Sequence, residues 1–280
     1  MPELAEVAYY AGQWAPGIGG RVRAVRLQAG KRIFRGQDTD AMASALRGAI
    51  YRGARTHGKN LLFQFSGGVW LGGHLGMTGH LMAIPPAVVD GEVRLHRPGA
   101  PAHADPKHHH LVLVQRDLHL VFSDPRLFGR LRFHRGRNPP RWWQDLPPEI
   151  LSGGFTKERL RSFFARRRAT PAKTLLLDQT TFPGIGNWMA DEILWRTKTD
   201  PRTRGGDLDE ESVASLWRAT RQLARSALKT IGQTWARPPD SWLFNHRWKS
   251  GGRCPRCAAT LAREKIGART TCFCPNCQTQ

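Results

Sequence analysis

Four cysteines near the C-terminus constrain this chain more than any other feature. Cys254-x-x-Cys257 and Cys274-x-x-Cys277 are separated by sixteen residues, the spacing of a tetrahedral four-thiolate zinc site. A tail of about thirty residues buries too little apolar surface to fold alone, so the metal must supply the folding energy. With all four positions filled by protein, the ion is structural and not catalytic. Cys254, Cys257, Cys274 and Cys277 are therefore the expected ligands of one Zn2+. Cys272 has the wrong spacing and is expected in a hairpin strand as a non-ligand. Such cysteine usage suits a reducing compartment better than a disulfide set does.

At 280 residues the chain is long enough for two domains with their own cores. Lys and Arg number 43 against 22 Asp and Glu, a formal charge of +21. That excess points to a polyanionic partner, DNA or RNA first, with an anionic membrane surface or an adaptation to salt as the plainer alternative. The ten Trp suit a surface that stacks on bases or wedges between them. No apolar run approaches the ~20 residues that span a bilayer. No basic-then-apolar N-terminal segment is present either, so neither export nor membrane anchoring is expected.

The N-terminus reads Met1-Pro2-Glu3-Leu4-Ala5-Glu6-Val7. With Met1 removed, Pro2 carries a free secondary amine whose pKa, ~7.7–8, leaves it partly unprotonated and nucleophilic at neutral pH. Attack on a sugar C1′ gives an iminium that cannot shed its charge by losing a proton from nitrogen, an electron sink for β-elimination. Glu3 beside it can serve as general acid or base. Leu4, Val7, Ala8 and Ala11 recur at helical spacing, so a buried helix would fix both residues. A plainer reading has Pro2 opening the helix and Glu3 complementing its dipole.

Residues 21–27 and 31–34 look strand-like, and Thr39–Leu46 is a short helix opened by Thr39 or Asp40 and closed at Gly48. Short β-rich runs follow at 61–65, Val69–His74, 111–114, 118–122 and 131–134, spaced for an antiparallel sandwich or barrel. Residues 85–106 read as a long surface loop, and 139–148, with Trp142 and Trp143, as a linker. Beyond Ile150 the pattern turns helical: 156–168 is basic, 171–179 amphipathic, and Asn187–Arg196 follows a tight turn. Val213, Leu216, Trp217, Thr220, Ala224, Ala227, Leu228 and Ile231 trace one face of a long helix.

Three further constellations carry chemistry. In Thr181-Phe182-Pro183-Gly184-Ile185-Gly186-Asn187, two glycines let the backbone approach a phosphate, and the amides opening the next helix face it. Asn187 can cap that helix and donate to the phosphate. His74-Leu75-Gly76-Met77-Thr78-Gly79 and Asp124-Pro125-Arg126-Leu127-Phe128-Gly129 are glycine-flanked strand ends presenting bulky side chains. Met77, Arg126 and Phe128 can fill the hole left by a base flipped from a duplex. In the alternative, Met77 and Phe128 are core and Arg126 pairs with Asp124. Lys59, in His57-Gly58-Lys59-Asn60, and Arg269, between the cysteine pairs, are candidate phosphate clamps.

Taken together and in order, Pro2-Glu3 and Glu6, Gly58-Lys59, His74-Leu75-Gly76-Met77, Asp124-Pro125-Arg126-x-Phe128-Gly129, Gly184-x-Gly186-Asn187 and the four-cysteine tail resemble the Fpg/Nei family of bifunctional DNA glycosylases. The resemblance implies an α+β multidomain fold. An N-terminal catalytic two-sheet β-sandwich with an initial helix takes 1–136 and a linker 137–150. A helix–two-turn–helix domain takes 151–250 and a zinc-finger hairpin 251–280, with a DNA cleft between the halves. It assigns Pro2 as Schiff-base nucleophile, Glu3 as acid/base and Glu6 as a support near the flipped base. Lys59, Asn187 and Arg269 hold phosphates around the lesion, and Met77, Arg126 and Phe128 fill the void, Arg126 facing the orphaned base. His108, in the basic run Lys107-His108-His109-His110, and Lys173 join the DNA-binding set. The implied reaction is excision of an oxidised base and β,δ-elimination at the abasic sugar of duplex DNA, by a monomer in the bacterial cytoplasm, associated with the nucleoid. A non-catalytic DNA-binding protein of the same fold is the alternative.

Two departures bear on substrate. Ala5 stands where the family often has a second Pro. The stretch from Gly232 to Gly252 is short and ends in Trp242-Leu243-Phe244-Asn245-His246-Arg247-Trp248, which looks like the oxidised-pyrimidine branch, where the loop capping 8-oxoguanine is absent. The basic strand start and the full Met/Arg/Phe set resemble the guanine-lesion branch instead. Broad specificity is expected: formamidopyrimidines and oxidised pyrimidines, with weaker 8-oxoguanine excision.

Overall fold

Helix α1 (Leu4–Gly12) is followed by strand β1 (Ala24–Leu27) and helix α2 (Thr39–Leu46). Strands β2 (Tyr51–His57), β3 (Asn60–Phe65), β4 (Val69–His74) and β5 (His80–Ile84) come next. A short pair, β6 (Val93–Arg94) and β7 (His103–Ala104), precedes β8 (His109–Val114), β9 (His119–Ser123) and β10 (Arg130–Arg135). These belong to a computed structural model that describes residues 1–86, 93–94 and 103–279. Most of the loop expected at 85–106 therefore lies outside the described residues. The chain divides into two compact units, Met1–Pro2 with Val7–Leu146 and Glu3–Glu6 with Pro147–Gln280.

The first unit holds two antiparallel four-stranded sheets, ordered β1-β8-β9-β5 and β10-β4-β3-β2. Leu61, Phe63 and Leu71 from one sheet and Leu111, Leu113, Leu120 and Phe122 from the other share one core, so the sheets form a sandwich. Trp14 is fully buried in that core and spends its indole N–H on the Val121 carbonyl at 3.2 Å. The strand expected at 31–34 is instead a 3-10 turn over Arg32–Phe34. Among the described residues no strand pairs with it, and the turn aims Ile33 and Phe34 into the core. Helix α2 is capped by Asp38, which accepts from the Asp40 and Ala41 amides, and not by Thr39 or Asp40. Strand β2 escaped the sequence pattern because Tyr-Arg-Gly-Ala-Arg-Thr-His is a polar edge strand with a bulge between Tyr51 and Gly53. Residues 137–146 belong to this unit: helix α3 (Arg141–Gln144) lays Trp142 over Gly72, where any Cβ would run into the indole.

The second unit contains helices α4 (Lys157–Arg166), α5 (Ala172–Leu176), α6 (Asn187–Arg196) and α7 (Glu210–Thr234), then the hairpin β11 (Ala262–Ile266) and β12 (Arg269–Phe273). Thr156 caps α4 and Asp209 caps α7. Phe155, Phe163, Phe164 and Phe182 pack with Ile193, Leu216 and Leu223 in its core. Of the α7 face read from sequence, Val213, Leu216, Thr220, Ala224, Ala227 and Ile231 are buried and Trp217 and Leu228 half-buried, with Ala219 and Leu223 added to it. The hairpin has its own small core with Trp195 and Leu243.

Candidate active site and nucleic-acid interface

Glu3 is 2% exposed. Its carboxylate accepts from the backbone amides of Gly186 at 2.8 Å, Trp188 at 2.9 Å and Met189 at 3.1 Å. These are donors that α6 leaves unpaired at its N-terminus, where the helix dipole also favours negative charge. Gly186 is required here because a Cβ would overlap the Glu3 carboxyl. The sequence reading gave those amides to a phosphate and made Asn187 the cap; both are corrected. Glu3, remote in sequence, occupies the amides. Asn187 is the first residue of α6, and its side-chain amide donates to the Thr270 carbonyl at 2.9 Å.

Glu6 is fixed by the Glu3 amide at 3.1 Å and the Trp188 indole N–H at 2.9 Å. Burial pushes its carboxyl above the usual range, against the pull of those hydrogen bonds. Pro2 is half-buried directly before this pair of carboxylates in the chain.

Lys173 is not a DNA contact. It is fully buried, and its ammonium is spent on Asp191 at 2.5 Å and the Asn187 carbonyl at 2.7 Å. Asp191 also accepts from Arg247 at 2.5 Å and from the Cys272 amide at 3.0 Å. One buried carboxylate thus ties α5, α6, the segment before the finger and β12 together. Arg269 opens β12 and is exposed.

In the first unit Met77 and Phe128 are 42% and 40% exposed, among the few large apolar side chains left in water. They are not core residues. The Arg126 guanidinium lies 4.8 Å from the Phe128 ring centre, and only its backbone amide reaches Asp124. Asp124, fully buried, holds both strand ends by accepting from Thr78 Oγ1 at 2.6 Å and the Gly129 amide at 2.6 Å. Gly76 sits at φ 61°, and a Cβ on it would strike the Phe128 backbone, so the two segments can touch only with glycine there. Lys59 is in the two-residue turn between β2 and β3, with Gly58 at φ 57°. His108 is half-buried at the end of a 3-10 turn.

Sequence reasoning missed a cationic recess beside Phe128. A cavity of about 150 Å³ is lined by Arg35, Asn60, His74, Arg130, Arg132 and Trp142 among others, with no carboxylate among the described residues of its wall. Burial, then Lys59, Arg132 and Arg35, depress the His74 pKa, and its Nδ1 accepts from the Gly76 amide at 3.0 Å. The alternating Arg130-Leu131-Arg132 was the available signal, since its two arginines must share one sheet face.

The four finger sulfurs lie within 4.8 Å of one another, with Cys257–Cys277 at 3.4 Å, Cys257–Cys274 at 3.5 Å and Cys254–Cys277 at 4.0 Å. Tetrahedral Zn–S bonds of about 2.3 Å set sulfurs about 3.8 Å apart. The set fits one structural zinc. Cys272 stays outside it, in β12.

Family models match along the chain: the formamidopyrimidine-DNA glycosylase N-terminal domain over residues 1–131, the H2TH domain of the same enzymes over 146–237, and the zinc finger found in FPG and IleRS over 251–280. A formamidopyrimidine-DNA glycosylase of Roseiflexus sp. is 35% identical, over 99% of this chain and 100% of its own length. The chain belongs to the formamidopyrimidine-DNA glycosylase family. A Thermus thermophilus relative of the same name is 36% identical over 79% of each chain. A crystal structure of Lactococcus lactis Fpg in complex with abasic-site DNA is 25% identical, with a TM-score of 0.82 over 99% of this chain and 100% of that one. In this member of the family, both carboxylates of the N-terminal run fall in the unit that carries the helical domain and the finger.

Proposed function

We propose that the protein is a base-excision-repair DNA glycosylase and abasic-site lyase that acts on oxidised bases in duplex DNA. The observation that carries this reading is the seat of Glu3, a buried carboxylate locked by three amides next in sequence to Pro2. Pro2 nitrogen forms the bond to C1′, and the base departs with the electrons of the glycosidic bond and takes up a proton. The sugar ring opens to an iminium. Loss of the C2′ proton expels the 3′ phosphate, loss of the C4′ proton expels the 5′ phosphate, and hydrolysis frees Pro2. Glu3 moves the protons. Lys59, Asn187 and Arg269 hold phosphates, with His108 and the recess of Arg35, Arg130 and Arg132 as further backbone contacts. Glu6 supports the flipped base.

Met77, Arg126 and Phe128 fill the vacated space. The exposure of Met77 and Phe128 supports this role, because apolar side chains this size are normally covered. The substrate range is broad, spanning formamidopyrimidines and oxidised pyrimidines, with 8-oxoguanine excised more weakly. The protein works as a monomer on the nucleoid of a bacterial cytoplasm. Among the described residues no helix is long and apolar enough to cross a membrane.

Borohydride trapping on duplexes with one abasic site or one oxidised base, followed by peptide mapping, tests the mechanism. A covalent adduct at Pro2, abolished by blocking the amine, is expected. Tight, salt-sensitive binding without an adduct, despite confirmed removal of Met1, would leave a DNA-binding protein that has lost the reaction. An exclusive preference for 8-oxoguanine opposite cytosine in a lesion panel would overturn the broad specificity.

A further inference from the structure

The first half of α7 carries an arginine face that the chemistry above leaves unused. A groove of about 560 Å³ runs between the end of α6 and α7, wholly within the second unit. Arg196, Trp217, Arg218, Arg221, Gln222 and Arg225 line it, with no carboxylate among the described residues of its wall. Two of these arginines are anchored. Arg196 bonds Glu192 at 2.9 Å and lies 4.5 Å from the Trp242 ring centre. Arg221 donates to the Ile150 carbonyl at 2.8 Å and the Ser152 carbonyl at 2.9 Å, neutral partners that leave its charge uncancelled. Arg218 and Arg225 are exposed, and among the described residues neither meets a partner. Their N–H donors all remain available for an anion.

We propose that this groove docks an extended acidic peptide segment of a partner protein, with Arg218 and Arg225 each taking a carboxylate. The two arginines stand seven residues apart on α7, ~10.5 Å along the helix axis. An extended chain covers that distance in about four residues. The volume suits a short peptide and not a duplex. A single nucleic-acid strand would need rings on which to stack its bases. Trp217 is the wall's aromatic side chain, and it is already committed: its N–H donates to the Phe155 carbonyl at 2.7 Å, and the Arg221 guanidinium sits 5.3 Å from its ring centre. The groove lies at the opposite end of α6 from the amides that hold Glu3, about 15 Å along that helix. It is therefore a second site, and it does not rest on the glycosylase reading.

Fluorescence anisotropy of the full-length zinc-loaded protein decides it, with a labelled octapeptide of alternating Asp and Gly as the probe. Saturable binding is expected, and neither the Asn–Gly counterpart nor an oligothymidylate of equal charge should displace the probe. Arg218→Gln combined with Arg225→Gln should weaken binding roughly 10-fold or more, the worth of one or two charge-assisted hydrogen bonds. Arg47→Gln combined with Arg52→Gln removes the same charge from exposed positions of the first unit and should change it less than about 2-fold, since distant charges are screened. Thermal melts of both double variants should match the parent, because the substituted side chains are exposed. Absence of peptide binding, or equal weakening by the two double variants, overturns the docking groove. Displacement of the probe by oligothymidylate overturns it too and assigns the groove to nucleic acid.

Discussion

Glu3 is 2% exposed with its carboxylate oxygens bonded to three amides, whereas Phe128 is 40% exposed with a guanidinium against its ring. Both lie in segments shaped by a glycine that a side chain would spoil, Gly186 for Glu3 and Gly76 for Phe128. At Glu3 the glycine makes room for a carboxyl held by three amides, so the geometry that the proposed proton transfer requires is preset. At Phe128 it lets two strand ends meet and leaves large apolar side chains in water, the exposure on which their proposed insertion rests. The second unit buries and bonds its carboxylate, and the first, at these loops, leaves large apolar side chains exposed.

The widest gap between the units should come from metal removal. Zinc binding supplies about 10–16 kcal/mol in isolated fingers. Chelation, or Cys254→Ser, is therefore expected to melt the β11–β12 hairpin while the sandwich keeps its melting transition, as circular dichroism and hydrogen exchange would report. Loss of the sandwich as well would erase the distinction. Next in size is Asp191→Asn, which leaves Lys173 and Arg247 as buried cations without a full counter-charge. Denaturant unfolding should show the second unit weakened by about 3–5 kcal/mol, and a change below about 1 kcal/mol would mean that water already screens the network.

Phe128→Ala should do the reverse. Stability should stay within about 0.5 kcal/mol because the side chain is exposed. Affinity for lesion duplex should fall by a few kcal/mol, about the cost of opening one base step that the wedge no longer offsets. A thermal melt and a binding titration separate the two. A large loss of stability with unchanged binding would return Phe128 to the core.

The zinc ligands and α6 were legible from spacing and period alone, because both are local patterns. So were the α7 face and the core strands β3, β4, β8 and β9, whose alternation is strong. Strand β2 was not, since a polar edge strand carries no alternation to read. The larger failures were long-range. Nothing near residue 187 announces that the amides opening α6 belong to a carboxylate some 180 positions away (the separation to Gly186 is 183). Lys173 looked like a surface cation because its partners, Asp191 and the Asn187 carbonyl, meet it only once α5 and α6 pack. Exposure of Met77 and Phe128 was legible only through their glycine-flanked motifs, since composition alone marks both as core residues.

Acid should separate the units by sign, with the smallest effect of the set. In the first unit, burial depresses the pKa values of His74, His80 and His110 below the usual 6.5. Above 6.5 the imidazoles are neutral in both folded and unfolded chains. As pH falls toward the folded values the unfolded chain takes up protons first, so stability is lost on acidification. In the second unit, burial raises the carboxyls of Glu6 and Glu192 above 4.5. There the folded state keeps its protons longer, so stability is present below 4.5 and is lost as pH rises through the folded values. Taking the protein from pH 7 to pH 5 should therefore weaken protection of β4, β5 and β8 amides against hydrogen exchange, relative to those of α6, after correction for the intrinsic rate. Parallel changes in both sets would mean that the histidines gain partners on protonation, and that burial does not govern their titration.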